Sequence, residues 1–293
     1  MSNLWLIIFS HSRPHLAQKS LESVNESTSK VKWKKMHIYQ SGHVNSHRFF
    51  KERLSDFNVN IQQEPKFGTA LANINFNRVL GYRLAFDVYG ADAVLGIEED
   101  TILSPDSLSF CESIYSRYSR EKRFRGINLG SLETSGLASN NSFSLLRFGL
   151  QGQAGLITRK TWNSIRDGRI LDFDSGEGWD SSIEFKLKTG YMVTPNRSRS
   201  LDFGWDQGVH APQDENDPHY VSMRQSWVGT DPLPENQYEL VQLAHRWRKD
   251  SISYIPSQNF IFSLRNTFVY HLFRTTPVVF RRKILALIYH SKK

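Results

Sequence analysis

The sequence predicts an α/β protein built on a largely parallel sheet with helices on both faces. Three observations carry this. Apolar runs of strand length recur at residues 4–9, 37–39 and 93–97. Segments with helical apolar spacing stand between them and after them. The order through the first half is strand, helix, strand, then strand, helix, strand, helix, the grammar of a sheet covered on both sides. The chain has 293 residues, enough for one large domain or one domain with an extension. Its 39% hydrophobic and 23% charged content is that of a globular protein.

Taken in order, residues 4–9 read as a buried strand. Pro14 suits the first turn of a helix, with Ser12 or Arg13 as its cap and Ala17, Leu21 and Val24 on the inner face. Residues 37–39 form a second strand ending in Gln40-Ser41-Gly42-His43, and residues 59–61 a third. Helical spacing over residues 75–88 places Phe76, Leu80 and Leu84 on one face, with Gly90 as the stop. The strand at 93–97 ends abruptly in Glu98-Glu99-Asp100. Ser104-Pro105-Asp106 then starts a helix whose apolar face holds Leu108, Cys111, Tyr115 and Tyr118. The second half is less regular. Residues 126–129, 156–158 and 191–194 read as strands, 140–147 as a polar loop, and 197–210 as a loop mixing Arg, Trp, Asp and His. Between them, Asp172-Phe173-Asp174-Ser175-Gly176-Glu177-Gly178-Trp179-Asp180 is rich in acids and glycine.

Composition narrows the function. A single cysteine, Cys111, rules out an intrachain disulfide, and no Cys/His spacing of a zinc site occurs. The N-terminus lacks a basic leader and a small-residue cleavage site, and no apolar stretch reaches the length of a membrane span. The net charge of +8 is concentrated: seven Arg and Lys and no acid follow Asp250, which leaves the rest of the chain about neutral. That distribution, without a recognised module, argues against a nucleic-acid partner.

In sheets of this kind ligands bind at the carboxyl ends of the strands. Arg13, the Ser41 turn and Glu98-Glu99-Asp100 all follow strands, so they converge on one edge. Three adjacent carboxylates repel one another. A divalent cation held there against a phosphorylated ligand would relieve the repulsion, whereas a solvated acidic turn is the plain alternative. The second acidic segment suits proton transfer. Asp180 is the candidate base, with a helix N-cap for residues 183–187 as its structural alternative. His210 is a candidate second metal ligand or phosphate contact. His11 and His43 have weaker claims, and Trp179 and Trp205 suit either sugar stacking or a core.

These segments, in this order, resemble the animal β-1,2-N-acetylglucosaminyltransferases, namely N-acetylglucosaminyltransferase I and its protein O-mannose relative. Val94-Leu95-Gly96-Ile97-Glu98-Glu99-Asp100 with Ser104-Pro105-Asp106 is similar to their Glu-Asp-Asp region. Ile8-Phe9-Ser10-His11-Ser12-Arg13-Pro14 is similar to their first strand and its phosphate-contacting arginine. Tyr39-Gln40-Ser41-Gly42-His43 is similar to the turn that holds uracil. Gly178-Trp179-Asp180, Asn196-Arg197-Ser198-Arg199-Ser200 and Phe203-Gly204 are similar to their later segments. The resemblance implies a GT-A glycosyltransferase fold over residues 1–230. It also implies metal-dependent (Mn2+ or Mg2+), inverting transfer from a UDP-sugar, UDP-N-acetylglucosamine first, to a glycan or glycolipid. Asp100 would hold the metal, Glu98 and Glu99 would meet the donor sugar and ribose, Arg13 the diphosphate, and Asp180 would lie at the base. Two positions depart from the pattern. Ser41 stands where the family has a uracil-reading aspartate. Ser181 replaces a second aspartate, which leaves Asp174 and Glu177 as alternatives for the base.

The resemblance stops near residue 231. Residues 231–293 are expected to form a basic, helical extension, with Phe260, Leu264, Phe268 and Leu272 at regular spacing and Arg281-Arg282-Lys283 nearby. Such a segment can lie on an anionic membrane surface or pack on the catalytic domain. Because the chain opens at the first strand, a cytoplasmic enzyme, peripheral on the inner face of the membrane, is expected. Two other functions share this sheet. A sugar-nucleotide nucleotidyltransferase would need a glycine-rich loop where Ser10-His11-Ser12-Arg13-Pro14 stands. A non-catalytic carbohydrate-binding protein would not need Asp100 and Asp180.

Overall fold

The computed structural model describes residues 2–11, 13–40, 57–131, 142–146, 153–173, 178–179, 190–204, 221, 224–229 and 239–240. The chain divides into two compact units, Met1–Leu243 and Ala244–Lys293, and every described residue lies in the first. The strands are β1 (Leu4–Ser10), β2 (Lys34–Gln40), β3 (Val59–Gln63), β4 (Ala93–Glu98), β5 (Thr101–Leu103), β6 (Phe124–Asn128), β7 (Ser142–Leu146), β8 (Ala154–Thr158), β9 (Tyr191–Pro195), β10 (Ser200–Asp202) and β11 (Glu239–Leu240). The helices are α1 (Pro14–Glu26), α2 (Ala70–Arg83), α3 (Ser107–Tyr118) and α4 (Arg159–Ile165).

Nine described strands form one mixed sheet in the order β11-β7-β9-β6-β8-β4-β1-β2-β3. Its β4-β1-β2-β3 half is wholly parallel, and β8 enters antiparallel to both β4 and β6. β5 leaves the large sheet and pairs antiparallel with β10, Asp202 opposite Thr101. The expected α/β architecture, a mostly parallel sheet flanked by helices, is present.

Strand alternation explains why both faces are covered. Leu4, Leu6 and Ile8 of β1 point to one side, where they join Leu95 and Ile97 of β4, Ala17, Leu21 and Val24 of α1, and Leu108 and Cys111 of α3. Trp5, Ile7 and Phe9 point to the other, joining Val94, Val79 and Tyr82 of α2, and Trp162 and Ile165 of α4. Removing each such side chain from water is worth about 1.5–3 kcal/mol, and this drives the layering. Local signals set the helix starts. Pro14 occupies the first turn of α1. Thr69 caps α2 by accepting from the Ala72 amide at 3.2 Å, and Thr158 caps α4 by accepting from that of Thr161 at 3.2 Å. Gly90, at φ +70°, ends the π-helical turn Leu84–Val88 that continues α2.

Two expectations are corrected. Residues 140–147 are not simply a loop: Ser142–Leu146 is β7, paired antiparallel with β9, and Phe143 is buried. The stretch 197–210 contains β10, held by the ladder to β5. Of the predicted Phe76–Leu80–Leu84 face of α2, Leu84 packs against the core, but the stripe does not supply the helix's buried side. Val79, Gly81, Tyr82, Arg78 and three asparagines are buried instead. Phe76 packs outside the main core against Phe67 and Phe173, at centroid distances of 5.8 and 5.5 Å. Phe67, just before α2, and Phe173, from a distant segment, cover Phe76.

Candidate active site

The turn between β4 and β5 is made of the acids themselves, Glu99 and Asp100, directly after Glu98. β1 ends alongside, with Phe9 in register with Glu98. Arg13, just beyond the end of β1, therefore reaches the acidic turn. Its Nε donates to Glu99 at 2.9 Å and its Nη2 to Asp100 Oδ2 at 2.6 Å. The other Glu99 oxygen accepts the backbone N–H groups of His11 at 2.9 Å and Arg13 at 3.4 Å. Glu99, with 2% of its side chain exposed, thus fixes the turn that presents Arg13. Burial opposes the charge of Arg13, but Asp100 and Glu99 outweigh it and raise its pKa.

Asp100 is strongly perturbed. Burial first, then the charges of Glu98 and Asp202, push its carboxyl up to about 7 against the pull of Arg13. Its Oδ1 is buried without a hydrogen-bond partner. Asp202 is brought there by β10. Its two oxygens accept from Gln153 Nε2 at 2.6 Å and from the Gly204 amide at 2.9 Å, while the Phe203 amide donates to the Asp100 carbonyl at 3.0 Å. Gly204 passes so close that a Cβ there would lie 2.5 Å from Asp100 Oδ2 and 2.9 Å from Arg13 Nη1.

β10 owes its place to a buried ion pair. Arg199 Nε donates to Asp106 at 2.8 Å, with the guanidinium 4.5 Å from the Phe110 ring. Asp106 was expected to start α3. It stands at the N-cap position but makes no side-chain cap, and its carboxylate accepts from Arg199 and Ser104 instead.

Glu98 points to the other side of the turn. Arg78 of α2 donates to it through Nη2 at 2.7 Å. These groups line an open cleft with Phe9, Ser10, His11, Arg13, Ile74, Asn77 and Glu99. Trp179, buried, lies over Arg78 with 4.8 Å between the guanidinium and the ring, and its amide donates to Asn75 Oδ1 at 2.9 Å.

The structure therefore brings Arg13, Glu98, Glu99 and Asp100 together. Ser41, Asp180 and His210 lie outside the described residues, as do Asp174, Glu177, His43 and Trp205. Sequence reasoning missed Arg78 and Asp202. An arginine inside an otherwise buried helical face was the available signal for the first, and Asp202 had none beyond its neighbour Gly204. An oxygen donor set with a buried unpartnered carboxylate oxygen fits a hard cation such as Mg2+ or Mn2+. Among the described residues no group of three or more His, Cys, Asp or Glu forms a ligand cluster. Asp100, with Asp202 beside it, could hold such a cation.

No protein-family sequence profile and no curated protein sequence matches this chain. Solved structures do. S. aureus TarS superposes with a TM-score of 0.50 at 8% identity, over 68% of this chain and 36% of TarS. A TarS 1–349 complex with UDP-GlcNAc gives 0.46 at 9% identity, over 68% of this chain and 58% of that one. The mannosyltransferase PcManGT from Pyrobaculum calidifontis, in complex with GDP-Man and Mn2+, gives 0.44 at 10% identity, over 66% and 54%. The chain spans about a third of the full TarS length. The likeness is one of fold, and the fold is of the GT-A type.

Proposed function

We propose that this chain is a metal-dependent, inverting glycosyltransferase. It moves a sugar, N-acetylglucosamine first, from a UDP-sugar to a glycan or glycolipid acceptor. One observation carries the reading: Asp100, buried at the carboxyl end of the sheet with Oδ1 unpartnered, is flanked by Arg13 on one side and a cleft edged by Glu98 on the other. The fold adds an argument by analogy only, since folds of this kind host several chemistries.

Asp100 would hold the cation, with Asp202 beside it and His210 as a further ligand. A cation bound there stabilises the negative charge that develops on a diphosphate leaving group. Arg13, held in place by Glu99, donates to a phosphate oxygen. Glu98 accepts from donor-sugar hydroxyls, Glu99 sets the turn next to the ribose, and the Ser41 turn receives the base. Asp180 takes the proton of the acceptor hydroxyl, whose oxygen attacks the anomeric carbon as the bond to UDP breaks. Asp180 follows Trp179, whose ring covers Arg78 at the cleft.

Calorimetric titration with UDP, GDP and CMP, each with and without Mn2+, tests this reading. UDP should bind, and only with metal. Asp100→Ala should abolish that binding. Asp180→Asn should retain it while transfer falls by a factor on the order of 100 to 10,000. Metal-dependent preference for GDP or CMP would replace the donor. Failure of all three nucleotides to bind would favour a non-catalytic carbohydrate-binding protein.

A further inference from the structure

Arg78 is an anomaly of the α2 face. Its side chain has 0% exposure, although arginine is rarely buried in full. Its guanidinium lies over two aromatic rings, 4.2 Å from Phe9 of β1 and 4.8 Å from Trp179. The Tyr82 hydroxyl, one helical turn further on, belongs to the same enclosure. A Cβ on Gly96 would lie 2.6 Å from that hydroxyl and 2.9 Å from Arg78 Nη1, so glycine lets these two side chains sit close over β4. Out of this enclosure Arg78 donates to Glu98 at 2.7 Å. Glu98 is 31% exposed and faces the cleft, so the pair is buried at one end and open at the other.

That asymmetry separates a positioning pair from a core ion pair. A buried charge pair adds little net stability, and breaking it leaves a stranded charge. What the arrangement supplies is a fixed carboxylate. A planar guanidinium held against two rings in a buried enclosure has little rotational freedom. Oε1 of Glu98 is engaged by Arg78, and among the described residues no donor reaches Oε2. A carboxylate with one oxygen clamped and one offered to a cleft suits a ligand carrying hydroxyl donors.

We infer that Arg78, held against Phe9 and Trp179, is the positioning residue for Glu98, and that this pair sets recognition of the sugar moiety rather than the nucleotide of the donor. The inference rests on the transferase reading above. It adds a role for α2. The helix holds Glu98 through Arg78 and, through Asn75 and Phe76, the two ends of the acidic segment: the Trp179 amide and the Phe173 ring.

The test is a binding cycle on the full chain with Mn2+, using UDP and UDP-N-acetylglucosamine as paired probes. The quantity read is the ratio of their dissociation constants. Arg78→Gln and Glu98→Gln should each shift the ratio against the sugar nucleotide by roughly tenfold or more, with UDP affinity held within about threefold. The double variant should shift it no further, because the two residues act as one unit. Arg78→Lys, which keeps the charge but loses the planar group held against the rings, should give an intermediate shift, and it serves if Arg78→Gln fails to fold. A ratio that stays at the native value in folded Arg78 variants overturns the inference. So does a double variant whose shift is the product of the single ones. If the native chain binds neither probe, the transferase reading itself falls, and the inference with it.

Discussion

His37 shows how a single residue in this sheet carries a charge state. Its ring stacks on Tyr39 at 5.0 Å, meets Phe57 edge-on at 6.2 Å, and shares a 2.9 Å hydrogen bond with the Ser10 hydroxyl. Burial pushes its pKa down from 6.5 to about 3. The folded protein keeps the ring neutral over a range where the unfolded chain protonates it. This contribution to stability is full above pH 6.5 and is lost as pH falls from there toward 3, at up to about 1.4 kcal/mol per pH unit. Urea unfolding near neutrality and again at about pH 5 measures it. The His37→Gln variant should be less stable at neutral pH but should lose less on acidification. An equal loss in both proteins would place the acid sensitivity elsewhere.

At the scale of elements, two glycines separate folding from function. Gly126 in β6 lies against β8, where an added Cβ would stand 2.0 Å from the Leu156 carbonyl oxygen and 2.9 Å from Met192 Cε. Backbone cannot yield as a side-chain tip can, so Gly126→Ala should destabilise the fold by about 3 kcal/mol or more in denaturant unfolding. Gly204 faces the Asp100 carboxylate and Arg13 instead. Gly204→Ala should leave the melting temperature within a few degrees of native, yet weaken metal-dependent UDP binding at least tenfold, because Arg13 and Asp100 must part to admit the methyl group. A variant that loses stability and binding together would mean that the close approach serves the fold. Elements also carried the main corrections. The polar start of residues 140–147 hid β7, which exists because β9 offers it an antiparallel ladder. On α2, Phe67 and Phe173 meet Phe76, while Arg78, Tyr82 and Gly81 are among the residues buried on the helix. Sequence periodicity reports which side of a helix is apolar, but not which neighbour comes to meet it.

At the scale of the whole molecule, no described helix is long and apolar enough to cross a membrane. The charge asymmetry of the sequence supports a proposal of surface attachment through residues 231–293. Each basic residue near an anionic surface contributes about 1 kcal/mol. Replacing Arg281, Arg282 and Lys283 together with glutamine should therefore lower partitioning onto phosphatidylglycerol vesicles by roughly 100-fold, with neutral vesicles as the control. The attachment should also weaken with added salt. Equal partitioning of native and variant chains would leave the basic segment without this role.

The sequence by itself determined the α/β class, the strands from Leu4 to Glu98, the start of α1 at Pro14 and the edge on which Arg13, Glu98, Glu99 and Asp100 gather. These follow from local signals: apolar runs, periodicity, proline and glycine, and the rule that loops after parallel strands share one end of a sheet. Only the tertiary structure decided what each acid does. Glu99 meets a guanidinium 86 residues away, Glu98 one 20 residues away, and Asp100 keeps a buried oxygen with no partner. The sequence writes these three carboxylates as near equals. Their differences come from burial and from the cations the fold delivers to each, which are long-range quantities that no local pattern encodes.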